Sequence, residues 1–392
     1  MGKTDRRADV VVIGGGLIGT AVFYSLVKSG VKAILVEAGD IAGGTSSHCD
    51  GNVFVSDKMP GYDAYLAKRS QDLYPIVADE IGYDFEWCRE GSLLIMENEA
   101  EMAAAEKYCK GLADCGIPIH MLSHKEVHEM EPNLADSVIG AIDTLCDGSV
   151  YPPGLCYALV HGAKRLGAQV MTHTKVIGIN RDADNRIERV RTTNGDILTD
   201  TVVNAAGIWA KEIGAMVGLN IPIEPRQGQI LVGEQTFKFC KRRVVEFTYL
   251  MIKLQGGEYE RHVDADIEAY GVAMVFEPTR DNNFLIGSSR RFAGWDMNCD
   301  FNVMRALAKR AQHFFPVLKD IKIIRAYTGL RPFTPDHFPI VSETGLPGFY
   351  IAAGHEGDGV SLALVTGEII TRMIRGEKQG IDIEKLSFKR YC

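Results

Sequence analysis

Val10 to Ile13 is an unbroken run of β-branched residues, the pattern of a buried strand. Glycines follow at positions 14, 16 and 19. "TAVFYSLVKSG" then places apolar residues at helical spacing and stops at Gly30, which reads as a C-terminal cap. "VKAILVE", Val31 to Glu37, reads as the next strand. Strand, helix and strand fit into about 30 residues, the size of a βαβ unit.

Beyond Glu37 a second small-residue turn, "AGGTSS", arrives with no strand between. Asp63 to Gly82 has the spacing of a long helix. "CREGSLLIMENEAEMAAAEKYCKGLADCG" reads as strand then helix, and "HKEVHEMEP" as a short helix ended at Pro132. A helix from about Pro153 to Leu166 leads into a strand through Val170. "DTVVNAAGIWAKEIGAMVG" repeats the order of strand, small-residue turn and helix. From Ile221 to about Arg291 the pattern is β-rich, and "FNVMRALAKRAQHFFPVL" is an amphipathic helix. In "YGVAMVFEP" alternation puts Tyr270, Val272 and Met274 on one strand face. The chain closes with a strand-like run, the loop "GHEGDG" and a helix.

Composition narrows this picture. A chain of 392 residues has room for two domains. Its 46% hydrophobic and 24% charged content is that of an ordinary globular protein. A net charge of −8 argues against a broad nucleic-acid face, so an anionic substrate needs a local cation. The nine cysteines form no C-x-x-C pair, which argues against a metal or iron–sulfur site within this chain and fits reduced thiols in a cytoplasm. The basic, apolar N-terminus has some look of a signal peptide, but glycines interrupt it. No segment has the continuous apolar length of a membrane span. The basic run Lys241-Arg242-Arg243 reads as a solvated loop, with a partner or phosphate contact as the alternative.

The glycine spacing carries chemistry. Gly14 permits the tight turn, Gly16 lets backbone approach a pyrophosphate, and Gly19 lets helix and strand pack closely. The helix N-terminus offers free N–H groups to phosphates. Glu37, at the end of the second strand, can accept from ribose hydroxyls. A dinucleotide site follows.

These pieces, in order, resemble the FAD-dependent D-amino acid oxidase superfamily. The motifs are the N-terminal βαβ with Glu37, "GGTSS", "VVNAAGIWA", "TGLRPFTPDHFPIV" and "GHEGDGV". The resemblance spans essentially the whole chain and is strongest to glycine oxidase, sarcosine oxidase β subunits and catalytic subunits of heteromeric proline, hydroxyproline and opine dehydrogenases. It implies an α/β fold: an FAD-binding Rossmann-like domain of glutathione-reductase type (1–84, 145–218 and 325–392) with a discontinuous β-rich α+β substrate domain (85–144 and 219–324). It implies that Gly14, Gly15, Gly16, Leu17, Ile18, Gly19, Glu37 and Ala38 hold the ADP half of noncovalent FAD. Gly44, Thr45, Ser46, Ser47, Gly51 and Asn52 would line the pyrophosphate and the near edge of the flavin. Val176 would touch adenine through its backbone, with Ala206, Gly207 and Trp209 beside the cofactor. Gly329 and the loop His355, Glu356, Gly357, Asp358, Gly359 and Val360 would meet the flavin.

The resemblance makes Arg331 the grip on a substrate carboxylate, which suits a planar bidentate guanidinium. The implied reaction is hydride transfer from the α-C–H of a small or secondary amino acid to flavin N5, with no side-chain base strictly required. Tyr270 and Met274 are further candidates to meet substrate, with a buried core tyrosine as the equal alternative for Tyr270; Tyr249 and Met251 are weaker ones, and His48 and Cys49 lining residues. Gly357 stands where glycine oxidase carries a second arginine, which turns the resemblance toward the heteromeric dehydrogenase subunits. Those pass electrons to a partner carrying flavin or an iron–sulfur centre. "GSVYPPG" offers no histidine for covalent flavin attachment, while leaving room for FMN at a subunit interface. An oxygen-using oxidase, a 2-hydroxy-acid dehydrogenase and a non-catalytic electron-relay subunit are the alternatives.

Overall fold

The computed structural model describes residues 6–248, 250–251, 261 and 263–392. One six-stranded sheet runs in the order Ile340–Glu343, Phe349–Ala353, Val202–Asn204, Val10–Ile13, Ala33–Val36, Gln169–Met171. Every neighbouring pair is parallel except the first. The unbroken apolar run at 10–13 has a direct reason: both faces are covered. Val10 and Val12 enter a core with the helices Leu17–Lys28, Pro152–Arg165 and Gly359–Ile374. Val11 and Ile13 enter a second core with Val176, Ile179 and Val190. Those three lie on a four-stranded sheet, Arg6–Arg7, Ile197–Leu198, Ile187–Thr192 and Val176–Arg181.

Helix ends follow local chemistry. The first helix stops at Lys28, and Gly30 takes the positive φ (+87°) of the exit turn. The long helix Tyr62–Ile81 ends on Gly82 in the left-handed region. Ser123 and Glu126 form a reciprocal capping box on the short helix His124–Met130.

An eight-stranded sheet makes the other half, in the order Ile323–Phe333, Glu224–Gly233, Phe284–Gly287, Val275–Pro278, Arg243–Glu246, Ser92–Met96, Gly140–Thr144, Ile119–Ser123. One face packs on the amphipathic helix Phe301–Phe314 through Leu231, Val244, Met274 and Phe276. The residues next in sequence, Ile230, Val245 and Val275, point the other way and line a cavity. The strand Ile323–Phe333 crosses the expected boundary at residue 325 and runs from one half toward the other.

This phase corrects one expectation. Tyr270 is not on a strand: it ends the short helix Ala265–Ala269, and the strand begins only at Val275. Met274 and Val272 are buried in the core behind the sheet. Among the described residues no helix is long and apolar enough to cross a membrane.

Candidate active site

A cavity of about 780 Å³ lies between the carboxyl ends of the parallel strands and the inner face of the eight-stranded sheet. Open α/β sheets bind ligands at that edge. Gly14 sits at φ +114°, and a Cβ there would lie 2.4 Å from the Ala205 carbonyl oxygen. A Cβ on Gly19 would lie 1.9 Å from the Gly14 oxygen. Only glycines allow this strand–turn–helix approach. Gly14, Gly15, Gly16, Leu17 and Ile18 line the cavity; Gly19 does not, because it faces Gly14. The Glu37 carboxylate accepts from the Gly15 N–H (2.6 Å) and the Gly39 N–H (2.7 Å), which fixes it at the cavity wall beside Ala38.

The turn after Glu37 is tied to both halves. Ser46 Oγ accepts from the Leu17 N–H at 3.0 Å, at the start of the first helix. Thr45 Oγ1 donates to the Leu330 carbonyl at 2.6 Å. A Cβ on Gly329 would lie 2.2 Å from the His48 carbonyl oxygen, so the turn rests directly on the long strand. Gly44, Thr45, Ser46, His48 and Asn52 line the cavity, as do Val176, Ala206, Gly207, Trp209 and Gly329. Ser47 and Gly51 do not: Ser47 bonds to the Gly44 oxygen and His48, and the Gly51 N–H donates to Glu277 at 3.0 Å. Both instead border a second cavity.

The C-terminal loop comes to the same cavity from the opposite end of the chain, with His355, Glu356, Gly357, Asp358, Gly359 and Val360 all on its wall. Two of its N–H groups are turned inward: Glu356 donates to Pro332 and Asp358 to His355. Gly359 and Val360 begin the helix Gly359–Ile374, whose first N–H groups have no intrahelical partner. The loop is clamped. Glu356 pairs with Arg226 and, at 2.9 Å, with His337. Lys58 is almost wholly buried and pairs with Asp57 and, at 2.6 Å, with Asp358. His355 is neutral. The Thr366 hydroxyl donates to Leu362 and so accepts from His355 Nε2–H, at 2.9 Å. Nδ1 is left as a bare acceptor without a partner among the described residues. Burial holds this imidazole down, to about 3.

Arg331 lies on the cavity wall, its guanidinium over Gly228. It donates to the Ser289 carbonyl at 3.0 Å and to Ser288 Oγ at 2.5 Å, and it has no ion pair among the described residues. Burial and the nearby Arg290 charge push it down to about 10, with Asp50 acting the other way. A Cβ on Gly357 would lie 3.9 Å from Arg331 Nε, so the loop position that lacks an arginine borders this guanidinium.

Tyr270 and Met274 are absent from the wall. Tyr270 packs against the core behind the sheet, with Arg291 over its ring. The expected strand alternation over 270–274 does not hold, because the strand begins at Val275, which faces the cavity. Met251 is buried in the helix-side core, and Tyr249 lies outside the described residues. The reading missed Asp50, Lys58, Arg290 and His337, all on the wall. Asp50 lies between Cys49 and Gly51 and His337 inside "TGLRPFTPDHFPIV", which is the one signal that pointed to them.

The second cavity, about 590 Å³, shares His48 and Cys49 with the first and is bordered by Ser149 to Pro153, by Lys238, Arg243, Arg280 and Arg325, and by Glu86, Glu90 and Glu277. Arg243 is buried on its strand, which corrects the solvated-loop reading of 241–243. The Lys241 and Arg242 N–H groups are also occupied, donating to the Glu131 carboxylate.

Residues 9–373 match the family model "FAD dependent oxidoreductase" (DAO). The chain belongs to that family. It is 27% identical over 394 residues to glycine oxidase of Geobacillus kaustophilus, covering 98% of each chain. It is 26% identical to hydrogen cyanide synthase subunit HcnC of Pseudomonas aeruginosa, over 99% of this chain and 97% of that one. The crystal structure of L-proline dehydrogenase from P. horikoshii superposes with a TM-score of 0.88 at 25% identity, over 99% of this chain and 98% of that one.

Proposed function

We propose that this FAD-dependent oxidoreductase oxidises a small or secondary amino acid, of glycine, sarcosine, proline, hydroxyproline or opine type, at its α-carbon. The observation that carries the reading is Arg331: a half-buried arginine whose desolvated guanidinium lies on the cavity wall, oriented by Ser288 and Ser289 and free of ion pairs among the described residues. Such a group costs free energy unless an anion completes it. A substrate carboxylate is the fitting partner, and a forked grip fixes the α-carbon's orientation.

The wall fits FAD. Glycines 14–16 offer open backbone and a helix N-terminus to a pyrophosphate, Glu37 faces the ribose end, and the unpaired acceptors Asn52 Oδ1 and His355 Nδ1 await N–H donors. When bound, FAD supplies the hydride acceptor for the substrate α-C–H. The chain's own part is to bind, orient and shield. Arg331 holds the carboxylate, the sheet face of Ile230, Val245 and Val275 excludes water, and the clamped 355–358 loop closes the far side. The substrate departs as an imine, which water hydrolyses.

We place the chain as the catalytic subunit of a dehydrogenase complex in a reducing cytoplasm. Its nine cysteines are free. The second cavity, which carries Lys238, Arg243, Arg280 and Arg325 alongside Glu86, Glu90 and Glu277 and shares His48 and Cys49 with the first, would hold noncovalent FMN where a partner subunit carrying flavin or an iron–sulfur cluster docks. Flavin extraction from the purified complex tests this: an FMN to FAD ratio near one supports it, and FAD alone counts against it. An anaerobic panel of amino acids and 2-hydroxy acids tests the main reading. Reduction of the flavin by a 2-hydroxy acid but by no amine would overturn it in favour of the hydroxy-acid alternative.

A further inference from the structure

The cavity that presents Arg331 also presents a half-buried acid. Asp50 lies on its wall, between the turn at 43–49 and the strand Asn52–Val53. Its Oδ1 accepts a long bond from the Asn52 N–H (3.4 Å), and its Oδ2 lies 4.0 Å from where a Cβ on Gly287 would stand, beside the Ser288 that orients Arg331. Asp50 has no ion pair among the described residues, and neither has Arg331. An α-amino acid carries a carboxylate and an ammonium on one carbon. An unpaired cation and an unpaired carboxylate on one cavity wall are its complement.

We propose that Asp50 receives the amino group of the substrate whose carboxylate Arg331 holds, and accepts its proton. The inference rests on the amino-acid reading above. The step balances: an ammonium N–H bond breaks, an O–H bond forms on the Asp50 carboxylate, and the electron pair stays on nitrogen. That pair is what forms the C=N bond as the α-C–H leaves. A carboxylate is a good acceptor when its basicity is raised toward that of the donor. Burial raises Asp50, against the pull of Arg331 and of its bonds to Asn52. The other groups around it are Glu277 from the strand Val275–Pro278, Tyr327 from the strand Ile323–Phe333, and Cys49 and Asp57 from its own segment. Glu277 is itself pushed up by burial and by the Asp50 charge, so the two acids resist ionising together.

The test uses the holoenzyme and ligands without an α-hydrogen, so that binding is read without turnover. Two isosteric pairs serve: 2-methylproline against 1-methylcyclopentanecarboxylate, and 2-aminoisobutyrate against pivalate. Calorimetric titration should give a preference of at least tenfold for the amine of the better-binding pair. Asp50→Asn should remove that preference while leaving the amine-free acid bound at least as tightly. Arg331→Leu should weaken both members more than tenfold. In the unmodified enzyme, amine affinity should rise with pH as Asp50 ionises, and affinity for the amine-free acid should not; this needs no variant to fold. An amine preference that survives Asp50→Asn, or a flat pH profile, overturns the role of Asp50 and leaves the carboxylate grip standing. Carboxylate affinities indifferent to Arg331 overturn the amino-acid reading itself.

Discussion

Lys58 offers the most quantitative handle on how the C-terminal loop is held. Its side chain is 5% exposed and its ammonium bridges Asp57 and Asp358, the latter at 2.6 Å. Lys58→Met keeps the stem and removes the charge, leaving two carboxylates with no cation between them. Breaking a fully buried pair costs about 3–5 kcal/mol. Here the carboxylates are 28% and 36% exposed, so water relieves part of that, and about 2 kcal/mol is the reasoned figure. The loss should concentrate where the clamp acts, because Asp358 leads into the helix Gly359–Ile374. Amide hydrogen exchange over residues 355–361 should accelerate about thirtyfold, the factor that 2 kcal/mol implies. Adding Asp358→Asn to Lys58→Met should restore part of the protection, since one of the two carboxylate charges that Lys58 balanced is then gone. Unchanged exchange in Lys58→Met would refute the clamp.

Other expectations are sharper in sign than in size. Gly329→Ala sets a Cβ 2.2 Å from the His48 carbonyl, so the turn at 43–49 must move and apoprotein affinity for FAD should fall at least tenfold. Gly357→Ala meets nothing nearer than 3.9 Å and should retain FAD normally; equal FAD affinities for the two variants would contradict the packing described. His355 is held near 3 when folded and titrates near 6.5 when unfolded, so its contribution to stability is present above pH 6.5 and lost on acidification toward pH 3. His355→Gln should therefore flatten the dependence of stability on pH between about 6.5 and 4, as read by chemical denaturation. Parallel slopes for the two proteins would mean that the buried imidazole is not the sensor.

The nucleotide end of the site was legible because backbone sterics dictate it. Gly14 and Gly19 are demanded by contacts with Ala205 and with each other, and that demand appears as spacing. In the C-terminal loop only Gly354 is demanded in this way, at φ +80° with a Cβ 2.5 Å from Thr334; Gly357 and Gly359 are not. The phase of a strand was not legible. In "YGVAMVFEP" only Val275–Pro278 is strand, and which face meets the cavity depends on a helix, Phe301–Phe314, that arrives later in the chain. Asp50 and Lys58 were missed because an isolated acid or lysine in a loop carries no periodic mark. Their burial is created by strands and loops up to 300 residues away, such as Asp358 for Lys58. Arg243 was misjudged for a related reason: in a run of three basic residues, only the pairing of its strand with Ser92–Met96 and Val275–Pro278 decides which one turns inward.

The central claim is that Arg331 holds the carboxylate of an amino acid beside bound FAD. The direct measurement is anaerobic mixing of the FAD-loaded protein with glycine, sarcosine, L- and D-proline, hydroxyprolines, opines and 2-hydroxy acids, following the flavin absorbance, in the unmodified protein and in Arg331→Leu. Bleaching by at least one amine is expected, with an apparent affinity weakened more than tenfold by the substitution. Bleaching by hydroxy acids alone, or by an amine with the same affinity in both proteins, would contradict it.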